Sequence, residues 1–221
     1  RCRRMKSLSY RLQFITHYTD RYTYLDSARM ALEGGCRWVQ LRMKGVETRL
    51  MEHTAIVVRD MCRDYGATFI IDDDAMLVKR IGADGVHLGK EDMSVAEARA
   101  LLGEGYIIGA TVNTMADIEA HMRGVVPDYF GCGPYRFTQT KERLAPMLGI
   151  EGYRAIIAQM RAQNIMMPLV AIGGIEERDI PLLLDVGVDG IALSGSVLRA
   201  ENPVSEMRKI AELVEAYAIN Q

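Results

Sequence analysis

At 221 residues the chain is long enough for one sizeable hydrophobic core, and a single all-parallel α/β barrel fits that length. Its 27 Lys and Arg against 29 Asp and Glu leave a formal net charge of −2, which gives no basic field for nucleic acid or an acidic membrane surface. No apolar run approaches the ~20 residues of a membrane span, and the cysteines at 2, 36, 62 and 132 lack metal-type spacing, so they read as reduced thiols of a cytoplasmic protein.

The chain opens on a basic segment, Arg1-Cys2-Arg3-Arg4-Met5-Lys6, with no apolar signal core behind it. Residues 1–11 read as an N-terminal extension of one domain covering 1–221. Short apolar strands are expected near Leu12–Thr16, Trp38–Arg42, Thr68–Ile71, Gly85–Leu88, Ile107–Ala110, Tyr129–Cys132, Leu169–Ile172 and Gly190–Leu193. Helical patterns lie between them, at Thr48–Tyr65, Ser94–Leu102, Met115–Arg123, Gly152–Gln163 and Glu176–Val186 among others. Four markers, starting at Gly34, Gly82, Gly124 and Gly187, put a glycine after a helical pattern and before a strand, where it is expected to form a left-handed cap. Eight such strand–helix units predict a parallel sheet, covered by eight helices and closed into an α/β fold of the (β/α)8 TIM-barrel type. No linker, low-complexity tract or composition break interrupts the pattern.

A barrel of this kind builds its site at the C-terminal ends of the strands. After the second strand, alternation puts Gln40, Arg42 and Lys44 on one side and Leu41 and Met43 on the other. Two cations two residues apart need a shared acceptor, either a bound anion or the carboxylates after the third strand. Those carboxylates are Asp72, Asp73 and Asp74, and after the fourth strand come Lys90, Glu91 and Asp92. Helix capping accounts for one of the three consecutive aspartates, and the rest suit a hard cation such as Mg²⁺ beside a substrate phosphate. After the fifth strand Thr111 is a candidate ligand, whereas Thr114 with Asp117 three residues on reads as a capping box. The sixth strand runs into Gly131-Cys132-Gly133-Pro134 and on to Thr138, Thr140 and Lys141, an oxyanion-binding loop or, taken alone, equally an ordinary strand-to-helix turn. Gly173-Gly174 and Ser194-Gly195 follow the last two strands, where barrels bind a phosphate monoester with loop amides and a short helix terminus.

Gln40-Leu41-Arg42-Met43-Lys44, Asp84 through Asp92, Gly131 through Lys141 and Ala171 through Ile175 stand in an order that resembles the thiamine-phosphate synthase family, from Leu12 nearly to the end. The resemblance implies joining of hydroxymethylpyrimidine diphosphate to thiazole phosphate, giving thiamine monophosphate and pyrophosphate with Mg²⁺. It implies that Gln40, Arg42 and Lys44 hold the pyrimidine diphosphate with Asp72 and Thr111, that Asp73 and Asp92 ligate Mg²⁺, and that Lys141 meets the departing diphosphate. Thr138, Thr140, Gly174, Ser194 and Gly195 would hold the thiazole phosphate. The family usually carries Asn-Asp-Arg where this chain has Asp72-Asp73-Asp74, and Ser where it has Thr111. Asp72 cannot donate to a pyrimidine as an amide could; Thr111 keeps the hydroxyl.

Breaking a C–O bond to diphosphate builds negative charge on the leaving group, so Arg42, Lys44 and Lys141 serve where charge develops, and no protein nucleophile is required. Cys132 is accordingly expected to be a strand residue and His87 a packed, hydrogen-bonded one. Met30, Met61, Met160, Met166 and Met167 are expected to fill core. The partners are small phosphorylated molecules, and assembly into a homo-oligomer stays open. Two other readings stay open at this stage: a thiazole tautomerase-like enzyme, against which the diphosphate cations and metal aspartates count, and a non-catalytic binder of a phosphorylated thiamine precursor.

Overall fold

The computed structural model describes residues 9–137 and 146–219. Eight parallel strands close into a barrel in sequence order: β1 (Leu12–Ile15), β2 (Trp38–Leu41), β3 (Thr68–Asp72), β4 (Gly85–Leu88), β5 (Ile107–Val112), β6 (Tyr129–Cys132), β7 (Leu169–Ala171) and β8 (Gly190–Leu193), with β8 pairing back onto β1. The helices outside are α1 (Tyr24–Glu33), α2 (Thr48–Asp64), α3 (Ala75–Ile81), α4 (Val95–Leu102), α5 (Met115–Met122), α6 (Gly149–Ala162), α7 (Ile180–Val186), α8 (Gly195–Leu198) and α9 (Pro203–Ile219). Among the described residues there are thus nine α-helices where eight were expected, because the four-residue α8 intervenes between β8 and the closing helix.

Strand alternation divides the core in two. Ile15, Trp38, Ile70, Tyr129, Val170 and Ala192 point into the barrel, where Tyr10 packs against Trp38 and Tyr129 with ring centroids 5.6 Å apart. Phe14, Val39, Leu41, Phe69 and Ile71 belong to the larger layer between strands and helices. Three of the strand-preceding markers share a device: Asp84, Asp128 and Asp189 accept the backbone N–H of Phe69, Ile108 and Leu169, each on the preceding strand, at 2.9, 2.7 and 2.8 Å. An acid just before β4, β6 and β8 thereby satisfies the first or second amide of the neighbouring strand.

Two expectations need correction. Gly82 and Gly187 take left-handed φ values of 74° and 104°, but Gly34 caps α1 at φ −76° and Gly124 is not left-handed. Gly34 is required for another reason: a Cβ there would lie 2.5 Å from the Met207 Cβ on α9, and the left-handed turn passes to Gly35 at φ 99°. Met166 is 89% exposed rather than core, because the loop from α6 to β7 points Ile165 and Met167 inward and the residue between them out. Met160 is buried, and Met30, Met61 and Met167 pack against the core.

Candidate active site

The C-terminal rim is assembled strand by strand. On β2 and its exit, Leu41 and Met43 go into the helix-facing core, which turns Gln40, Arg42 and Lys44 to the inside; Gln40 is buried, Arg42 half-buried and Lys44 exposed. β3 ends in a turn at Asp73, whose φ of 67° is left-handed, a conformation Asp tolerates better than most side chains. That turn hands the three aspartates different tasks. Asp74 caps α3 by accepting from the Leu77 N–H at 2.8 Å, while Asp72 and Asp73 are left facing the cations. Arg42 Nε lies 3.4 Å and Lys44 Nζ 3.6 Å from Asp72 Oδ2, and Lys44 also donates to Asp73 Oδ2. The cations therefore meet the carboxylates of the neighbouring strand end while keeping solvent-facing surface.

The electrostatics of Asp72 follow from its position. Burial pushes its carboxyl above the usual carboxylate range, Lys44 and Arg42 pull it back, and the charge of Asp92 adds to the rise. His17, in the loop after β1, is held below the usual imidazole range by burial and by the cations Arg42 and Arg199. His17 thus feels one cation from the exit of β2 and one from the end of α8.

On the β4 side, Asp92 Oδ2 accepts the Gly89 N–H at 2.7 Å. A Cβ on Gly89 would stand 2.6 Å from Asp92 Oδ2 and 3.8 Å from Asp73 Oδ1, so the two carboxylates converge on one bare patch of backbone. Among the described residues no group of three or more His, Cys, Asp or Glu forms a metal cage. Two converging carboxylates are nevertheless a fit for Mg²⁺, which takes one or two protein carboxylates and keeps several waters. Lys90 is drawn aside to Asp117 at 2.7 Å, and Thr114 with Asp117 forms the expected capping box on α5.

Thr111 lies within β5, which extends to Val112, and its hydroxyl meets His87 Nε2 at 3.0 Å. His87 is buried and also meets the Tyr129 hydroxyl, as a packed histidine should. Cys132 is fully buried; burial pushes its thiol up to about 12, and it is a strand residue.

Thr138, Thr140 and Lys141 lie outside the described residues. The loop leading to them is tightly tied to the end of β7: Tyr135 N–H donates to Ile172 O at 2.9 Å, Arg136 N–H to Gly173 O at 3.0 Å, and the Arg136 guanidinium to Asp179 at 2.7 and 2.9 Å and to Gly174 O at 2.8 Å. Gly173 and Gly174 adopt φ 98° and 66°, and a Cβ on Gly174 would strike Arg136 Cγ at 2.6 Å, so both backbone and packing demand glycine there. At β8, Ser194 precedes α8, which begins at Gly195, without a side-chain capping bond. The rim thus carries cations and carboxylates at β2 to β4 and bare glycine backbone at β7 and β8. Three participants escaped the sequence reading: Gln13, buried on the inner face of β1, Tyr129 beneath His87, and the Arg136–Asp179 brace. Gln13 could have been found, since Phe14 beside it points to the helices and leaves a polar residue inside the barrel.

Comparison with known proteins extends this picture. The family model described as thiamine monophosphate synthase matches residues 12–197. The chain is 58% identical to the thiamine-phosphate synthase of Phocaeicola vulgatus, covering 95% of this chain and 100% of that one, and 54% identical to that of Bacteroides thetaiotaomicron, covering 91% and 96%. Among solved structures, the thiamine phosphate pyrophosphorylase from Pyrococcus furiosus superposes with a TM-score of 0.82 at 33% identity, over 95% of this chain and 97% of that one.

Proposed function

This chain belongs to the thiamine monophosphate synthase family and carries a transferase activity of thiamine synthesis, and from that premise we propose how its rim performs the reaction. The substrates are 4-amino-5-hydroxymethyl-2-methylpyrimidine diphosphate and 4-methyl-5-(2-phosphoethyl)thiazole; the products are thiamine monophosphate and pyrophosphate. Gln40 and Thr111 hold the pyrimidine, and Arg42 and Lys44 take the diphosphate, with Lys141 and the side chain of Asp72 beside it. Thr138, Thr140, Gly174 and the amides of Ser194 and Gly195 orient the thiazole phosphate.

The chemistry is an alkyl transfer. As the methylene C–O bond breaks, negative charge accumulates on the leaving diphosphate, and Arg42, Lys44 and Lys141 stabilise it where it forms. Asp73 and Asp92 would hold Mg²⁺, which when bound neutralises charge on the diphosphate oxygens. The thiazole nitrogen, held by its own phosphate anchor, attacks the electron-poor methylene carbon, so the rate gain lies in orientation and charge stabilisation rather than in a covalent enzyme intermediate. The carrying observation is the convergence of Arg42 and Lys44 on Asp72 and Asp73 at one side of a barrel rim whose other side is bare glycine backbone. The buried cysteines Cys36, Cys62 and Cys132 fit a cytoplasmic, reducing location.

The test is pyrophosphate release by the purified protein, with and without thiazole phosphate, with chromatography for thiamine monophosphate and with Mg²⁺ varied. Release coupled to product supports the reading. Tight binding of thiazole phosphate without product refutes it.

A further inference from the structure

A polar chain crosses the barrel interior beneath the rim. Gln40 Nε2 donates to Gln13 Oε1 at 3.2 Å, and Gln13 Nε2 donates to the Tyr129 hydroxyl at 3.5 Å. That hydroxyl lies 2.9 Å from His87 Nδ1, and His87 Nε2 lies 3.0 Å from Thr111 Oγ1. The chain therefore joins β2, β1, β6, β4 and β5 in one line. Gln13, Gln40, His87 and Tyr129 are all at most 6% exposed, where an unpartnered polar group would be costly. Two neighbouring strands make room for the rings: a Cβ on Gly109 would sit 2.4 Å from the Tyr129 oxygen, and one on Gly131 would sit 2.7 Å from His87 Cε1.

The line has a direction. The Tyr129 hydroxyl accepts from Gln13, which leaves its own hydrogen for His87 Nδ1. An imidazole that accepts at Nδ1 donates from Nε2, so Thr111 Oγ1 accepts and its hydroxyl hydrogen is released for a ligand. Burial pushes the Tyr129 hydroxyl far above its usual range, so it keeps the hydrogen this relay needs. At the other end Gln40 spends one N–H on Gln13, and no described residue donates to its Oε1. One end therefore offers an acceptor and the other a donor. Turning one amide alone would set donor against donor or acceptor against acceptor, so each member of the line holds the next in its orientation.

We propose that Gln13, Tyr129 and His87 are positioning residues for pyrimidine specificity: they hold Gln40 Oε1 as acceptor for the exocyclic amine and the Thr111 hydroxyl as donor to a ring nitrogen. The inference rests on the synthase reading above. Once the line is cut, the Gln40 amide and the Thr111 hydroxyl turn independently, and a pyrimidine with an oxo group in place of the amine is no longer met by a wrong-polarity pair.

The experiment compares kcat/KM for the 4-amino pyrimidine diphosphate and its 4-oxo analogue in the unaltered protein and in Tyr129→Phe, Thr111→Val and Thr111→Ser. Sites built around a substrate hydrogen bond reject the wrong partner by about 10⁴-fold or more. The expected result is strong preference for the amine in the unaltered protein and in Thr111→Ser, falling at least tenfold in Tyr129→Phe and Thr111→Val. Tyr129→Phe is nearly isosteric, and the Thr111 pair reports on the same line should that variant fail to fold. A ratio unchanged in both Tyr129→Phe and Thr111→Val, with only the rates or the melting temperature lowered, overturns the inference and leaves the synthase reading standing. Absence of product from the unaltered protein overturns both.

Discussion

Replacing Asp72 by Asn tests the electrostatic account of the diphosphate end most directly. Arg42 Nε and Lys44 Nζ lie 3.4 and 3.6 Å from Asp72 Oδ2, and a unit-charge pair near 4 Å is worth about 4 kcal/mol at an effective dielectric of about 20. Lys44 is 54% and Arg42 27% exposed, so solvent screening reduces what the cations recover on losing this partner to about 1–2 kcal/mol in total. That corresponds to about 5- to 30-fold tighter binding of a competing anion. Titration calorimetry with inorganic pyrophosphate and Mg²⁺ at pH 8 measures it directly, and equal or weaker binding by Asp72→Asn would show that Asp72 does not hold the cations back. The same variant carries a pH signature. The carboxyl of Asp72 is raised in the folded chain, so the native state binds its proton more tightly than the unfolded one, and the penalty is present above the raised value and vanishes below the unfolded value of 3.8. The melting-temperature gain of Asp72→Asn should therefore be largest near pH 8 and shrink towards pH 4.

Other perturbations report on neighbouring parts of the rim. Asp92→Ala removes a carboxylate that converges with Asp73 on Gly89; because losing even an outer partner of a metal ligand costs about 10–100-fold, the Mg²⁺ concentration for half-maximal activity should rise at least tenfold, and an unchanged Mg²⁺ profile would remove Asp92 from the metal site. Arg136→Gln breaks the brace to Asp179 and should cost about 1–3 kcal/mol in a urea titration at pH 7. Burial alone would push Asp179 up, yet the Arg136 hydrogen bonds and the Glu176 amide bring it below its usual 3.8, so this stability is present above that value and lost as pH falls through the lower folded one. The gap between Arg136→Gln and the unaltered protein should close in acid. Gly131→Ala puts a methyl group 2.7 Å from His87 Cε1; overpacking of about 1–3 kcal/mol predicts a fall of about 2–12 °C in melting temperature by calorimetry, and no fall would mean that His87 has room to move.

Much of the fold and of the rim is legible in the sequence, for a reason particular to barrels. Barrels build their sites at the strand exits, so the run Gln40-Leu41-Arg42-Met43-Lys44 tells in one reading which residues pack outward and which face the rim. The three aspartates after β3 were expected to split between capping and function, and Asp74 does cap α3. What could not be read was any contact that joins distant strands. Arg136 and Asp179 are 43 residues apart, and only the folding of the β6 exit over the end of β7 makes them partners. Gly34 and Gly187 look alike in sequence, yet one is forced by Met207 on α9 and the other by its own left-handed φ. Met166 resembled core because its neighbours are apolar, but direction in a loop is not periodic.

The sequence by itself determined the number, order and direction of the strands and the identity of the rim cations and carboxylates, because period-two alternation and helix capping are local properties of the chain. Tertiary structure alone decided that Gln40, Gln13, Tyr129, His87 and Thr111 form one hydrogen-bonded line, and that Asp72 sits between Arg42 and Lys44. Those relations depend on closure of the sheet and on register between strands, which bring side chains from far-separated segments within about 3 Å of one another.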